Sequence, residues 1–130
     1  MNIKEDLVEL LMNDVEAFND AIKGKAVDLS ETDFSNINIE GAIFDNVDFT
    51  SSSFADSQLT DVKFLGCDLT SVDFTRASLN ECNFSESVLN GADFSYSTIN
   101  YCGFPDSDLA GAIIREADLS NSDFTMSVPL

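Results

Sequence analysis

From Leu29 to Phe124 every fifth residue is leucine, phenylalanine or isoleucine, twenty times without a break. Ten of these central residues are Phe, seven Leu and three Ile. The residue two places before each is small or β-branched, from Val27 and Thr32 to Ser122, with Ile37 the one bulky exception. The other three positions of each unit are mostly Asp, Asn, Ser, Thr, Glu or Gly. A period of five fits neither the roughly 3.6 of an α-helix nor the roughly 2 of a flat strand. It fits a coil that turns one corner per unit, with the central residue and the small one inside and the other three facing water. One unit cannot bury its own apolar side, so units must stack, and the predicted fold class is an all-β solenoid.

Wrapping the sequence at a period of twenty sorts the interior. One column becomes Phe44, Phe64, Phe84, Phe104 and Phe124, and the opposite one Phe34, Phe54, Phe74, Phe94 and Ile114. The columns between them are Leu29, Phe49, Leu69, Leu89, Leu109 and Ile39, Leu59, Leu79, Ile99, Leu119. Aromatics thus stand over aromatics and aliphatics over aliphatics, except at Phe49 and Ile114. Stacked rings contribute about 0.5–1.5 kcal/mol per pair beyond area burial. The alternation is a packing device and points to no ligand.

Units such as Ala92-Asp93-Phe94-Ser95-Tyr96, Ala117-Asp118-Leu119-Ser120-Asn121 and Val72-Asp73-Phe74-Thr75-Arg76 closely resemble the A-(D/N)-L-x-x unit of pentapeptide-repeat proteins. The resemblance covers about three quarters of the chain. It implies a right-handed quadrilateral β-helix with four units per coil. Twenty units would then make about five coils, a rod of roughly 24 Å at one inter-strand spacing per coil. The family includes drug-resistance members thought to mimic the shape and charge of DNA and engage type II topoisomerases, and members that dimerise end to end. This chain is similar to the former in sign of charge, but its uninterrupted units leave no projecting loops.

Residues 1–25 differ in kind. Leu7, Leu11, Val15, Phe18 and Ile22 make one apolar stripe with Leu10 beside it, which predicts an amphipathic helix. Asn2 with Glu5 reads as its N-terminal cap, and Gly24 between Lys23 and Lys25 as its stop. An open coil exposes an apolar disc and unpaired backbone groups at each end. The expected role of the helix is therefore to cover the first coil. The repeat domain is expected over 26–126, leaving a C-terminal tail at 127–130. Pro129 opposes further strand addition there, so either the tail or a second copy must cover the last coil, and a homodimer through the C-terminal coil is one expectation.

Composition narrows the chemistry. The chain of 130 residues has no His and no Trp, which removes the usual triads and most zinc sites. No phosphate-binding glycine loop, dinucleotide turn or C-x-x-C pair is present. Carboxylate pairs would lie on convex faces, where nothing desolvates them as catalysis requires. The expectation is a protein that is not an enzyme and takes no cofactor and no metal. Twenty-four acids against six bases, a net charge of −18, oppose direct nucleic-acid binding. No apolar run reaches the roughly 20 residues of a membrane span, and no export signal is seen. Cys67, Cys82 and Cys102 all take the small inward position and read as buried thiol fillers, so a reducing cytoplasm is expected. Cys82 and Cys102 share a column one coil apart, which leaves a disulfide geometrically open.

The charge is unevenly placed. Asp28, Asp48, Asp68 and Asp108 precede the central residue on one face, broken by Val88, and Asp33, Asp73 and Asp93 do so on the adjacent face. The other two faces have Asp118 and Asp123 there, with Lys63 breaking one of them. Carboxylates ~4.8 Å apart repel by about 0.9 kcal/mol even at bulk-water dielectric. One reading is structural: Asp suits the turn backbone, and net charge keeps a rod soluble. The other makes the seven aspartates of the two adjacent faces a docking corner for a basic protein surface, such as a DNA-binding protein or, as the resemblance implies, a type II topoisomerase treated as if meeting DNA. A cation-binding rod is a third and weaker reading, since flat faces seldom supply six to eight oxygens. The sequence-based expectation is a non-enzymatic interaction module.

Overall fold

The computed structural model describes residues 3–129. Helices α1 (Ile3–Asn13) and α2 (Val15–Ile22) lead into a solenoid whose extended pieces are β1 (Val27–Asp28), β2 (Asn38–Glu40), β3 (Ile43–Asp45), β4 (Val47–Asp48), β5 (Gln58–Thr60), β6 (Lys63–Leu65), β7 (Ser78–Asn80) and β8 (Thr98–Asn100). All pairings are parallel and join residues twenty apart, such as Val27↔Val47, Ile39↔Leu59 and Phe44↔Phe64. Isolated bridges carry the same register to Asp108↔Val128. The tail therefore continues the ladder through Val128.

The period of five has a backbone cause. All twenty residues two places after a central residue have positive φ, and sixteen of them are not glycine, among them Glu31, Arg76, Tyr96 and Met126. This left-handed residue turns each corner, at about 1–2 kcal/mol for an L side chain. Thirteen corners also close with a bond from the N–H three residues on to the central carbonyl, as Ser52 N donates to Phe49 O at 2.9 Å, the pattern of a type II turn. The corners after Leu29, Ile39, Phe44, Leu59, Phe64, Leu79 and Ile99 lack that bond. At three of them a serine in the turn above fills the gap. Ser87 donates to Phe64 O (2.7 Å) and accepts from Cys67 N (3.1 Å). Ser52 does so for Leu29 O and Thr32 N, and Ser122 for Ile99 O and Cys102 N. Above other open corners stand cysteines: Cys67 donates to Phe44 O (3.1 Å), Cys82 to Leu59 O (3.4 Å) and Cys102 to Leu79 O (3.6 Å). All three cysteines are free and buried, and they act as weak donors as well as fillers.

Inside, the two Phe columns stack and meet edge to face. Phe74 lies 4.8 Å from Phe94 at 1°, and 6.0 Å from Phe84 at 87°. Phe49, the ring that breaks its aliphatic column, wedges edge-on against Phe44 at 4.9 Å. It tilts the Phe44–Phe64 pair to 32°, whereas Phe64–Phe84 lies at 4°. The outward positions differ from expectation in one respect. The residue after the central one is often half-buried, and Ala55 and Ser95 there are buried because such small side chains sit down between their neighbours in the stack.

The N-terminal segment is two helices rather than the single one expected. Asp14 breaks them by capping α2, accepting from Ala17 N at 3.0 Å. Gly24, at φ 72°, follows α2 in the stop position, while Asn2 lies outside the described residues. The stripe does bury: Leu11, Phe18 and Ile22 are in the core, with Phe18 edge-on to Phe44 at 5.6 Å. Asn19 acts as a strand surrogate, donating to Gly41 O (3.0 Å) and accepting from Ile43 N (2.8 Å) at the edge of the first coil.

The other end is open. About four closed turns replace the five coils expected, because Leu109 is the last buried central residue and Ile114, Leu119 and Phe124 are only partly covered. Together with Phe94, Ile99, Phe104 and Leu109 they line an apolar cup of about 400 Å³, with Ser127 and Pro129 on its wall. Among the described residues no helix is long and apolar enough to cross a membrane.

Candidate interaction surface

Each of the seven aspartates begins as a turn device. The N–H of the residue after the central one lies outside the ladder between coils, and the aspartate two residues earlier takes it. Asp28 Oδ1 accepts from Ser30 N (2.9 Å) and from the Ser30 hydroxyl. Asp48 does the same with Thr50, Asp68 with Thr70 and Asp73 with Thr75. Asp33, Asp93 and Asp108 accept from the N–H of Ser35, Ser95 and Ala110 at 2.8, 2.9 and 3.0 Å. Asp118 and Asp123, on the other two faces, cap in the same way.

The sequence carried a signal for this that the charge reading passed over. Eight of the nine aspartates in this position are followed two residues later by Ser or Thr. Capping also goes with the closed corner: in ten of the thirteen closed corners the residue before the central one is Asp, Asn or Ser. Among the seven open corners three have such a residue there, Asp28, Asn38 and Ser78.

Not all seven come together. Asp28, Asp48 and Asp68 stack in direct register, then Val88 intervenes before Asp108. On the adjacent face Asp73 and Asp93 pair directly, and Ser53 separates them from Asp33. The stacked three have an added feature. They line one shallow depression of about 350 Å³ with Ala26, Val27, Asn46, Val47 and Gly66, where the missing Gly66 side chain leaves room at the corner. The Ser30 hydroxyl, then its N–H, then Lys4 hold the Asp28 carboxyl below the ordinary value of 3.8 against slight desolvation. Ser35 does likewise for Asp33. These two carboxylates therefore stay ionised into acid.

An ion pair that the charge reading did not single out modifies the second face. Arg76 Nε and Nη2 clasp Asp56 at 2.9 and 3.1 Å from one turn above, and the Asp73 charge adds to the pull on that guanidinium. Asp56 and Arg76 are twenty residues apart, so the same wrapping that sorted the core would have shown them adjacent. The pair is neutral in itself and leaves Asp33, Asp73 and Asp93 unbalanced, while Lys4, 3.9 Å from Asp28, offsets part of the first column. Among the described residues no group of three or more His, Cys, Asp or Glu is arranged to hold a metal ion.

The sequence matches the pentapeptide repeat region family over residues 25–94 and again over 58–128. No curated protein matches it. Among solved structures, a pentapeptide repeat protein from the thylakoid lumen of Arabidopsis thaliana is 29% identical over 82% of this chain and 70% of its own, with a TM-score of 0.48. The plasmid-mediated fluoroquinolone resistance protein QnrB1 is 17% identical over 77% of this chain and 61% of its own, with a TM-score of 0.49. A pentapeptide repeat protein from Nostoc is 16% identical over 91% of this chain and 93% of its own, with a TM-score of 0.40.

Proposed function

Because the chain belongs to the pentapeptide-repeat family, whose rods present repeated flat faces and no evident catalytic cleft, we propose that it is a non-enzymatic, cytoplasmic interaction module docking a basic protein surface. The contact is the corner of Asp28, Asp48, Asp68, Asp108, Asp33, Asp73 and Asp93, centred on the first three. One observation carries the reading. Asn83 accepts from the Ser85 N–H at 2.9 Å and from its hydroxyl, just as the aspartates do with their own neighbours. The cap needs an acceptor oxygen and no charge, so stacking three carboxylates around one depression adds repulsion that the fold does not require.

The test follows from that equivalence. Asp28→Asn, Asp48→Asn and Asp68→Asn together keep the caps and remove the charges. In pull-downs from host lysate the triple variant should lose partners that the wild type retains, and those partners should elute with modest salt. Identical catches by both proteins would leave the charge with a solubilising role alone. A type II topoisomerase that takes the carboxylates for DNA phosphates is the first partner to assay, through inhibition of gyrase supercoiling or protection from a quinolone. The absence of both effects with folded protein would remove that partner.

A second reading concerns self-association and is supported by the open cup alone. Its apolar lining at Ile114, Leu119 and Phe124 suits a homodimer in which a second copy covers the end. Leu119→Asp should make such a dimer monomeric in sedimentation. A wild type that is monomeric at all concentrations would sink it.

A further inference from the structure

Cys82 and Cys102 are stacked directly on one another inside the wall of the rod. Gly103 N donates to Cys82 O at 3.0 Å and pairs in register with Asn83. The two cysteines thus sit on neighbouring strands about 4.8 Å apart, inside the roughly 4.4–6.8 Å Cα separation that a disulfide spans. Each thiol donates to a carbonyl of the turn beneath, Leu59 and Leu79, so pairing needs only that the sulfurs turn from those carbonyls toward one another. Cys67 takes the equivalent inward position in another column, between Val47 and Ser87, and has no sulfur beside it. Gly103 contributes no side chain to the wall, and a depression of about 310 Å³ opens there, reaching Cys82 but not Cys102, with Tyr101, Pro105 and Thr125 around it.

We propose that Cys82 and Cys102 form a reversible two-thiol redox site, oxidised by a small peroxide to a disulfide that ties two successive turns together near the open end. The two thiols act on each other, and Cys82 is the one that meets the depression through which a small peroxide would enter. The thiolate of one cysteine attacks one peroxide oxygen, the O–O bond breaks, and hydroxide leaves, giving a sulfenic acid. The sulfur of the other cysteine then attacks the sulfenic sulfur and loses its proton; the S–S bond forms, the S–O bond breaks, and water departs. Two thiols lose two electrons and two protons, and hydrogen peroxide becomes two waters. Small thiols reverse the step by exchange.

The placement gives the bond a consequence. A solenoid frays from an uncovered end, one turn at a time, and here the uncovered turn lies just above Cys102. A covalent tie to the turn below stops the fraying there. Reduced wild-type protein treated with hydrogen peroxide should lose about 2 Da in intact mass and keep one alkylatable thiol, Cys67. Peptide mapping should link residues 82 and 102, with melting raised by about 5–10 °C and restored by a thiol reductant. Amides of residues 95–109 should exchange at least about tenfold more slowly in the oxidised form. Cys67→Ala should behave as wild type, and Cys102→Ser should show neither the mass loss nor the melting shift. Three alkylatable thiols after peroxide, a link between molecules through Cys67, or a Cys82–Cys102 bond that leaves melting and exchange unchanged would each overturn the proposal.

Discussion

The interior residues are specialised by their neighbours one turn away. Phe84 lies between Phe64 at 4.9 Å and Phe104 at 4.7 Å, with Phe74 and Phe94 edge-on beside it. Phe84→Ala should therefore cost about 3–5 kcal/mol in denaturant unfolding, since stacked rings above and below cannot close the gap. Ser87 is smaller but equally placed, holding Phe64 O and Cys67 N at once. Ser87→Ala should cost about 1–3 kcal/mol by leaving both groups unpaired in a buried wall. Ser107, whose hydroxyl only doubles the central carbonyl of its own closed corner, should lose less on the same change. The left-handed corners predict a gain: Glu81, at φ 58°, is better served by Asn, so Glu81→Asn should raise the melting temperature slightly.

At the scale of elements, the helices and the corners obey different rules, and they were legible to different degrees. The repeat showed the inward positions from Leu29 to Leu109 because a fixed spacing of five admits one inside. It also showed which helix residues bury, as Leu11, Phe18 and Ile22 do. It did not show that Asp14 splits the helix, because the apolar stripe runs through the break while the cap depends on one backbone N–H. Nor did charge counting separate the aspartates as caps from the aspartates as surface. That distinction resides in the Ser or Thr two residues on and in Asn83, a single uncharged equivalent. The Asp28–Asp48–Asp68 cluster was legible as a column, but the depression beside it depends on Gly66, which the repeat treats as any other corner residue. The helices' role has a direct test. Removing residues 1–22 should strip Asn19 from Gly41 and Ile43 and uncover Phe44, giving self-association in light scattering. A truncated chain that stays monomeric with unchanged melting would assign the helices to a partner instead.

For the whole molecule, charge and caps respond oppositely to solution conditions. Asp28, Asp33, Asp118 and Asp123 are held below the ordinary 3.8 first by the hydroxyl and then by the N–H of the residue two places on. Carboxyls depressed on folding contribute stability that is fully present above the unfolded value and lost as pH falls through the folded one. Thermal melting should thus weaken below about pH 4. At neutral pH the net charge of −18 acts against compactness, so added salt should raise melting while weakening any partner held at the acidic corner. Salt dependence of the same sign in both measurements would separate the docking surface from the carboxylates. The outward corners carry one further consequence, for spectroscopy. The chain has two tyrosines and no tryptophan, and Tyr96 and Tyr101 occupy successive corners one unit apart, both exposed. Intrinsic fluorescence is therefore blind to the helices and the first turns and reports the neighbourhood of the open end alone. Followed by tyrosine emission and by far-ultraviolet dichroism, one thermal transition should separate into two curves, emission changing first, if the rod melts turn by turn from that end.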